Sequence, residues 1–151
     1  MKHLLIIYHS QSGSTRGLAE SVLQGALAES EVETRLLPAM EAGVDELLWA
    51  DALVFGTPEN FGYMSGGLKD FFDRTFYAVE ARQLNVPYAV FISAGNDGTG
   101  ALRQLERIAK AYPLRCAVEP LVVQGRPTSS AFAQCEELGA ALAAGLSMGI
   151  Y

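Results

Sequence analysis

The sequence has little of what a metal centre, a disulfide framework or a membrane span requires. Its two cysteines, Cys116 and Cys135, stand too far apart for a metal-binding or redox pair, and they suit thiols kept reduced in a cytosol. Its two histidines, His3 and His9, offer no zinc-type spacing, so no metal site is expected. The longest apolar runs, such as "LLIIY" and "ALVF", are far too short to cross a bilayer. Met1 and Lys2 lead directly into a strand-like run with no cleavage-site pattern. Basic residues are outnumbered, 11 against 17, and the net charge of −6 argues against nucleic acid, whose phosphates require a basic surface. The expectation is a cytoplasmic protein with neither nucleic-acid nor membrane partners.

What is present is an ordinary globular composition, half apolar and 19% charged. A length of 151 residues suits one domain spanning 1–151. Short apolar runs alternate with longer helical patterns. "HLLIIY" (3–8), "ALVFGT" (52–57) and "YAVFISA" (88–94) are continuously apolar, as strands covered on both faces of a parallel sheet are. "EVETRLL" (31–37) alternates, and "RCAVEPLVVQ" (115–124) carries Pro120, which cannot donate to a ladder; both belong at edges. Helical spacing runs over 15–28, 43–50, 67–79, 99–112 and 130–146. This alternation predicts an α/β fold with a five-stranded parallel sheet in the order 2-1-3-4-5 and helices on both faces. In that order the ligand crevice lies outside the carboxyl ends of strands 1, 3 and 4.

The three loops at that crevice are unusual. "HSQSGSTR" leaves strand 1 and opens a helix, with Ser10, Ser12, Ser14 and Thr15 presenting hydroxyls and Gly13 allowing close approach of the main chain. Backbone N–H groups and the helix dipole there favour an anion. A single helix cap needs one hydroxyl, and four are present, so the pattern reads as a phosphate site. It is neither a P-loop, which needs Gly-x-x-x-x-Gly-Lys-Ser/Thr, nor the Gly-x-Gly-x-x-Gly of a dinucleotide fold. Nor does it carry the clustered aspartates of a receiver domain. The second loop, "GTPENFGYMSGGLKD" (56–70), sets Phe61, Tyr63 and Met64 beside glycine-freed main chain, which suits a planar ring read by backbone groups. Taken alone it is equally a glycine-rich turn with Ser65 capping the next helix. The third, "SAGNDGTG" (93–100), forms a polar wall opposite, or an ordinary turn capped by Asp97 or Thr99. Convergence on one crevice favours the ligand-binding reading.

With "YHSQSGSTRGLAE", "ALVFGTPENFGYMSGGLKDFFDR" and "FISAGNDGTG", the chain resembles the flavodoxin-like superfamily, and in detail its NAD(P)H-dependent FMN reductase and quinone reductase branch. The resemblance runs from about Leu4 to Tyr112; beyond that it is one of topology only. It implies a flavodoxin-like three-layer sandwich with noncovalent FMN. By position, Ser10, Gln11 (through its backbone), Ser12, Gly13, Ser14 and Thr15 would hold the phosphate. Pro58, Glu59, Asn60, Phe61 and Gly62 would line the isoalloxazine, and Ser93, Gly95, Asn96, Asp97 and Gly98 would close its ribityl and pyrimidine side. No side chain is assigned as general acid or base. Glu59 and Asp97 near the ring would lower its potential; as solvated loop carboxylates they would not.

Two functions follow from the resemblance. One is an oxidoreductase passing electrons from NAD(P)H through FMN to a quinone or similar small acceptor. The other is a flavodoxin-type electron-transfer protein with no substrate of its own, docking to a redox protein; a binding module without flavin is a third. Electron carriers usually show Thr-Gly-Asn-Thr where this chain has Ser-Gly-Ser-Thr, and they sandwich the ring between Trp and Tyr. Here the lone Trp49 falls before strand 3, away from the crevice. Relatives often build the second wall of the pocket from a neighbouring subunit, which makes a homodimer one form the resemblance allows.

Overall fold

The computed structural model describes residues 1–151. Strand β1 (Lys2–Tyr8) leads into helix α1 (Ser14–Ala26), followed by β2 (Val32–Pro38), α2 (Val44–Trp49) and β3 (Ala52–Asn60). Then come β4 (Tyr63–Met64), α3 (Gly66–Val79), β5 (Pro87–Ala94) and α4 (Thr99–Ala111). The chain closes with β6 (Arg115–Cys116), β7 (Leu121–Gln124) and α5 (Ser129–Ser147).

The main sheet is parallel, in the order β2-β1-β3-β5, with β6 and β7 both paired to β5. Once β6 and β7 are taken as one interrupted edge strand, this is the expected 2-1-3-4-5 order. Two details differ from the sequence reading. The edge strand breaks over 117–120, where Pro120 has no N–H to give to a ladder. Strand β3 also runs on to Asn60, so Pro58, Glu59 and Asn60 are strand rather than loop, and β4 folds back antiparallel on them. The sheet therefore has seven strand segments where five were expected.

Strand side chains alternate between two cores. Leu5, Ile7, Leu53 and Phe55 join the layer beneath α2, α3 and α4, whereas Leu4, Ile6, Ala52 and Val54 pack against α1 and α5. Leu4 to Ile7 and Ala52 to Phe55 are wholly buried, which is why these runs are apolar without interruption. On one side Phe55, Phe71, Phe72, Tyr88 and Tyr112 form a cluster of tilted and edge-on rings. Tyr112 hydroxyl donates to the Phe72 carbonyl at 2.9 Å and shares a 2.8 Å hydrogen bond with Thr75 Oγ1. On the other side α1 and α5 approach closely at Gly25 and Gly139, where a β-carbon would run into the Glu136 and Val22 carbonyls respectively. Trp49 lies at the opposite end of β1 from the crevice, stacked on His3 with ring centroids 4.3 Å apart and under the Arg35 guanidinium at 3.9 Å. No helix is long and apolar enough to cross a membrane.

Candidate functional site

The carboxyl ends of β1, β3, β5 and β7 border a cleft of about 310 Å³. It gathers Gln11, Ser12, Ser14 and Thr15 from the first loop, Pro58 and Asn60 from the end of β3, and Ser93, Ala94 and Gly95 from the end of β5. Gly125 and Arg126, after β7, complete it. A hollow of about 490 Å³ lies at the other end of the strands around Met1, Lys2 and Asp51, with no convergent loop hydroxyls.

The first loop is shaped by Ser10, whose Oγ accepts the Gly13 N–H at 3.1 Å and the Arg16 N–H at 3.2 Å. Gly13, at φ 98°, takes the left-handed conformation that starts α1. The first turn of α1 contains no acidic residue, so nothing opposes the partial positive charge of its N–H groups. Thr15 is only 2% exposed as a residue and lines the cleft. Arg16 turns to solvent and pairs with Glu20 at 3.1 Å. Gln11 Oε1 accepts from Asn60 Nδ2 at 2.9 Å, tying this loop to the end of β3. His9 is packed under α3, where its ring occupies the space of a β-carbon on Gly67, and its Nδ1 is buried without a partner.

The second loop is a hairpin. Asn60 pairs with Tyr63 across the two-residue turn Phe61–Gly62, whose φ values of 52° and 71° match the twist of the flanking strands. Thr57 and Ser65 are fully buried and brace its base: Thr57 Oγ1 accepts the Ser65 N–H at 2.9 Å, while Ser65 Oγ caps α3 through Leu68 N–H at 3.4 Å. Glu59 turns away from the cleft, its carboxylate accepting the Ala101 N–H at 3.0 Å in the first turn of α4. Phe61 stands fully exposed at the tip.

In the third loop Asp97 Oδ1 accepts both the Thr99 N–H at 3.1 Å and its hydroxyl at 2.9 Å, and these bonds, the backbone one first, hold the carboxyl below its usual range. Asp97 is thus committed to the start of α4, one residue ahead of its N-cap Gly98. Of the residues expected from sequence, Gln11, Ser12, Ser14, Thr15, Pro58, Asn60, Ser93 and Gly95 line the cleft. Ser10 and Gly13 shape its first loop from behind, and Glu59 and Asp97 are committed to α4. Phe61, Gly62, Asn96 and Gly98 also lie outside the lining. Sequence reasoning missed Gly125 and Arg126, because it took the crevice from strands 1, 3 and 4 only. The signal available was "GRPTSS", a glycine and an arginine between the last strand and the last helix.

A cradle of free hydroxyls and unopposed N–H groups, with no carboxylate in its lining, fits a phosphate monoester such as that of FMN. Comparison with known proteins agrees. Residues 17–123 match the family described as NADPH-dependent FMN reductase. A flavodoxin of Aquifex aeolicus is 41% identical over 73 residues, covering 48% of this chain and 40% of that protein. An NAD(P)H dehydrogenase (quinone) of Acidithiobacillus ferrooxidans is 31% identical over 121 residues, covering 66% of this chain and 60% of that one. The matches therefore span less than two thirds of the length of these relatives. Among solved structures, an archaeal flavodoxin superposes with a TM-score of 0.85 at 23% identity, covering 95% of this chain and 98% of its own. A WrbA-like flavodoxin from Agrobacterium tumefaciens gives 0.79 at 20% identity, with 99% of both chains covered. The fold is flavodoxin-like, and the chain belongs to the NADPH-dependent FMN reductase family.

Proposed function

We propose that this protein is an FMN-dependent oxidoreductase that takes electrons from NAD(P)H and passes them to a quinone or a similar small acceptor. The observation that carries this reading is a cleft at the start of α1 that gathers Ser12, Ser14 and Thr15 and has no carboxylate in its lining. Ser12, Ser14 and Thr15 would bind the phosphate, with the α1 N–H groups behind them. Pro58 and Asn60 on one side and Ser93 to Gly95 on the other would orient the ring, largely through main-chain groups. The Gln11–Asn60 hydrogen bond holds the two walls in register. FMN, when bound, supplies the electron-transfer chemistry itself, and the protein contributes orientation and electrostatics. No side chain acts as general acid or base, because Glu59 and Asp97 are both occupied at the start of α4.

The 41% identity to a flavodoxin supports a second reading, an electron-transfer protein that exchanges electrons with a redox partner. Anaerobic titration of the FMN-loaded protein with NADPH and then NADH separates the two. Direct loss of the visible flavin band supports the enzyme; reduction only through an added reductase supports the carrier. Failure of the purified protein to take up FMN would overturn both.

A further inference from the structure

Arg126 is the one charged residue among the eleven that line the cleft. It has no carboxylate partner, unlike Arg16, Arg35 and Arg74, which are ion-paired to Glu20, Glu33 and Asp70. Its neighbours fix where it stands. Gly125, at φ 77°, donates its N–H to the Ala94 carbonyl at 2.8 Å, which pins the β7–α5 connection to the end of β5. Pro127 follows, and Thr128 caps α5 by accepting the Ala131 N–H at 3.3 Å. An unpaired guanidinium is thus held at the rim of a cleft that also gathers Ser12, Ser14 and Thr15 at the start of α1. In a chain of net charge −6, a cation with no internal partner facing free hydroxyls is placed for an anion from outside. A guanidinium reads a phosphate monoester with two parallel N–H···O bonds, which a neutral alcohol cannot replace.

We infer that Arg126 is a phosphate-recognising residue of this cleft, adding a charged contact to the hydroxyls, and that it selects ligands carrying a phosphate monoester over counterparts that lack it. The inference rests on the FMN reading above. Two phosphates fit its chemistry: the 5′-phosphate of FMN, and the 2′-phosphate that distinguishes NADPH from NADH.

The test is Arg126→Gln, with Arg126→Lys as the conservative control. The side chain is exposed, so the thermal midpoint should not move. Affinity of the apoprotein for FMN and for riboflavin is read by flavin fluorescence quenching. Affinity of the FMN-loaded protein for NADP+, which carries the 2′-phosphate monoester, and for NAD+, which carries none, is read by calorimetry. A loss of about tenfold or more for FMN, with riboflavin unchanged, assigns the FMN phosphate. A collapse of the preference for NADP+ over NAD+ with FMN affinity intact assigns the dinucleotide phosphate instead. In either case Arg126→Lys recovers part of the loss, and added salt weakens the wild type more than Arg126→Gln. Equal loss for FMN and riboflavin, or no change in any of the four affinities, overturns the inference. Failure of the wild type to bind FMN would instead overturn the functional reading on which it rests.

Discussion

The Glu59 carboxylate accepts the Ala101 backbone N–H at 3.0 Å, so a residue at the end of β3 caps a helix 42 positions further along the chain. Beside it Gly100 lies directly against the Gly62 carbonyl, with no room for a β-carbon. The hairpin wall of the cleft is therefore fastened to α4 at two adjoining points, one polar and one steric. This accounts for a carboxylate that sequence reasoning set beside a flavin: its partner is the positive end of a helix.

Glu59→Ala should cost about 1–2 kcal/mol, the usual value of a lost N-terminal cap. Glu59→Gln should cost less, because its amide oxygen still accepts from Ala101. Urea denaturation measures both. FMN affinity should fall only in the alanine variant, as the hairpin loosens from α4. Were Glu59 acting on the ring, Glu59→Gln would raise the flavin potential and leave stability untouched.

Gly139→Ala should destabilise the protein although alanine is the better helix former. The gain in helix propensity is about 1 kcal/mol. The added β-carbon meets the Val22 carbonyl, and backbone of a packed helix cannot rotate aside as a side chain can. Overpacking of this kind costs about 1–3 kcal/mol. Calorimetry should show a lower thermal midpoint, whereas the same substitution at Gly43, which has open space, should not lower it through a clash.

Much of this fold is written in period and burial. Leu4 to Ile7 are apolar without a break because both faces of β1 are covered, and a run of that kind has few other uses in a chain this size. The loop hydroxyls were legible because four exceed what one cap needs. The partner of a carboxylate was not, since Glu59 and Ala101 meet only through tertiary packing that local sequence does not encode. The extension of β3 to Asn60 was masked by Pro58, Gly62 and the other turn-forming residues around it. Phe61 hid the turn further, because at φ 52° it occupies a place usually held by asparagine or glycine.

Stability should fall steeply in alkali. Burial pushes the Tyr112 and Tyr88 hydroxyls up to about 12 from an ordinary value of 10.0. A phenol with a folded-state value above its unfolded one favours the native state in full below about pH 10, and that contribution disappears as pH rises towards 12. Denaturation curves taken from about pH 9 to about 12 should show the loss together with a delayed tyrosinate absorbance. Tyr112→Phe should cost about 1 kcal/mol at neutral pH and make the alkaline fall shallower.

Thr15→Val replaces a hydroxyl by a methyl of nearly the same shape, so it separates ligand binding from packing. Thr15 lines the cleft, so in the free protein the valine variant should be about as stable as the wild type. Combined with Ser12→Ala it should weaken FMN by about a hundredfold or more, since each hydrogen bond to a charged acceptor contributes about 1.5–3 kcal/mol. Riboflavin, which lacks the phosphate, should bind the double variant as it binds the wild type. If the hydroxyls served only to start α1, the result would be the reverse: lower stability, and no difference between the two flavins.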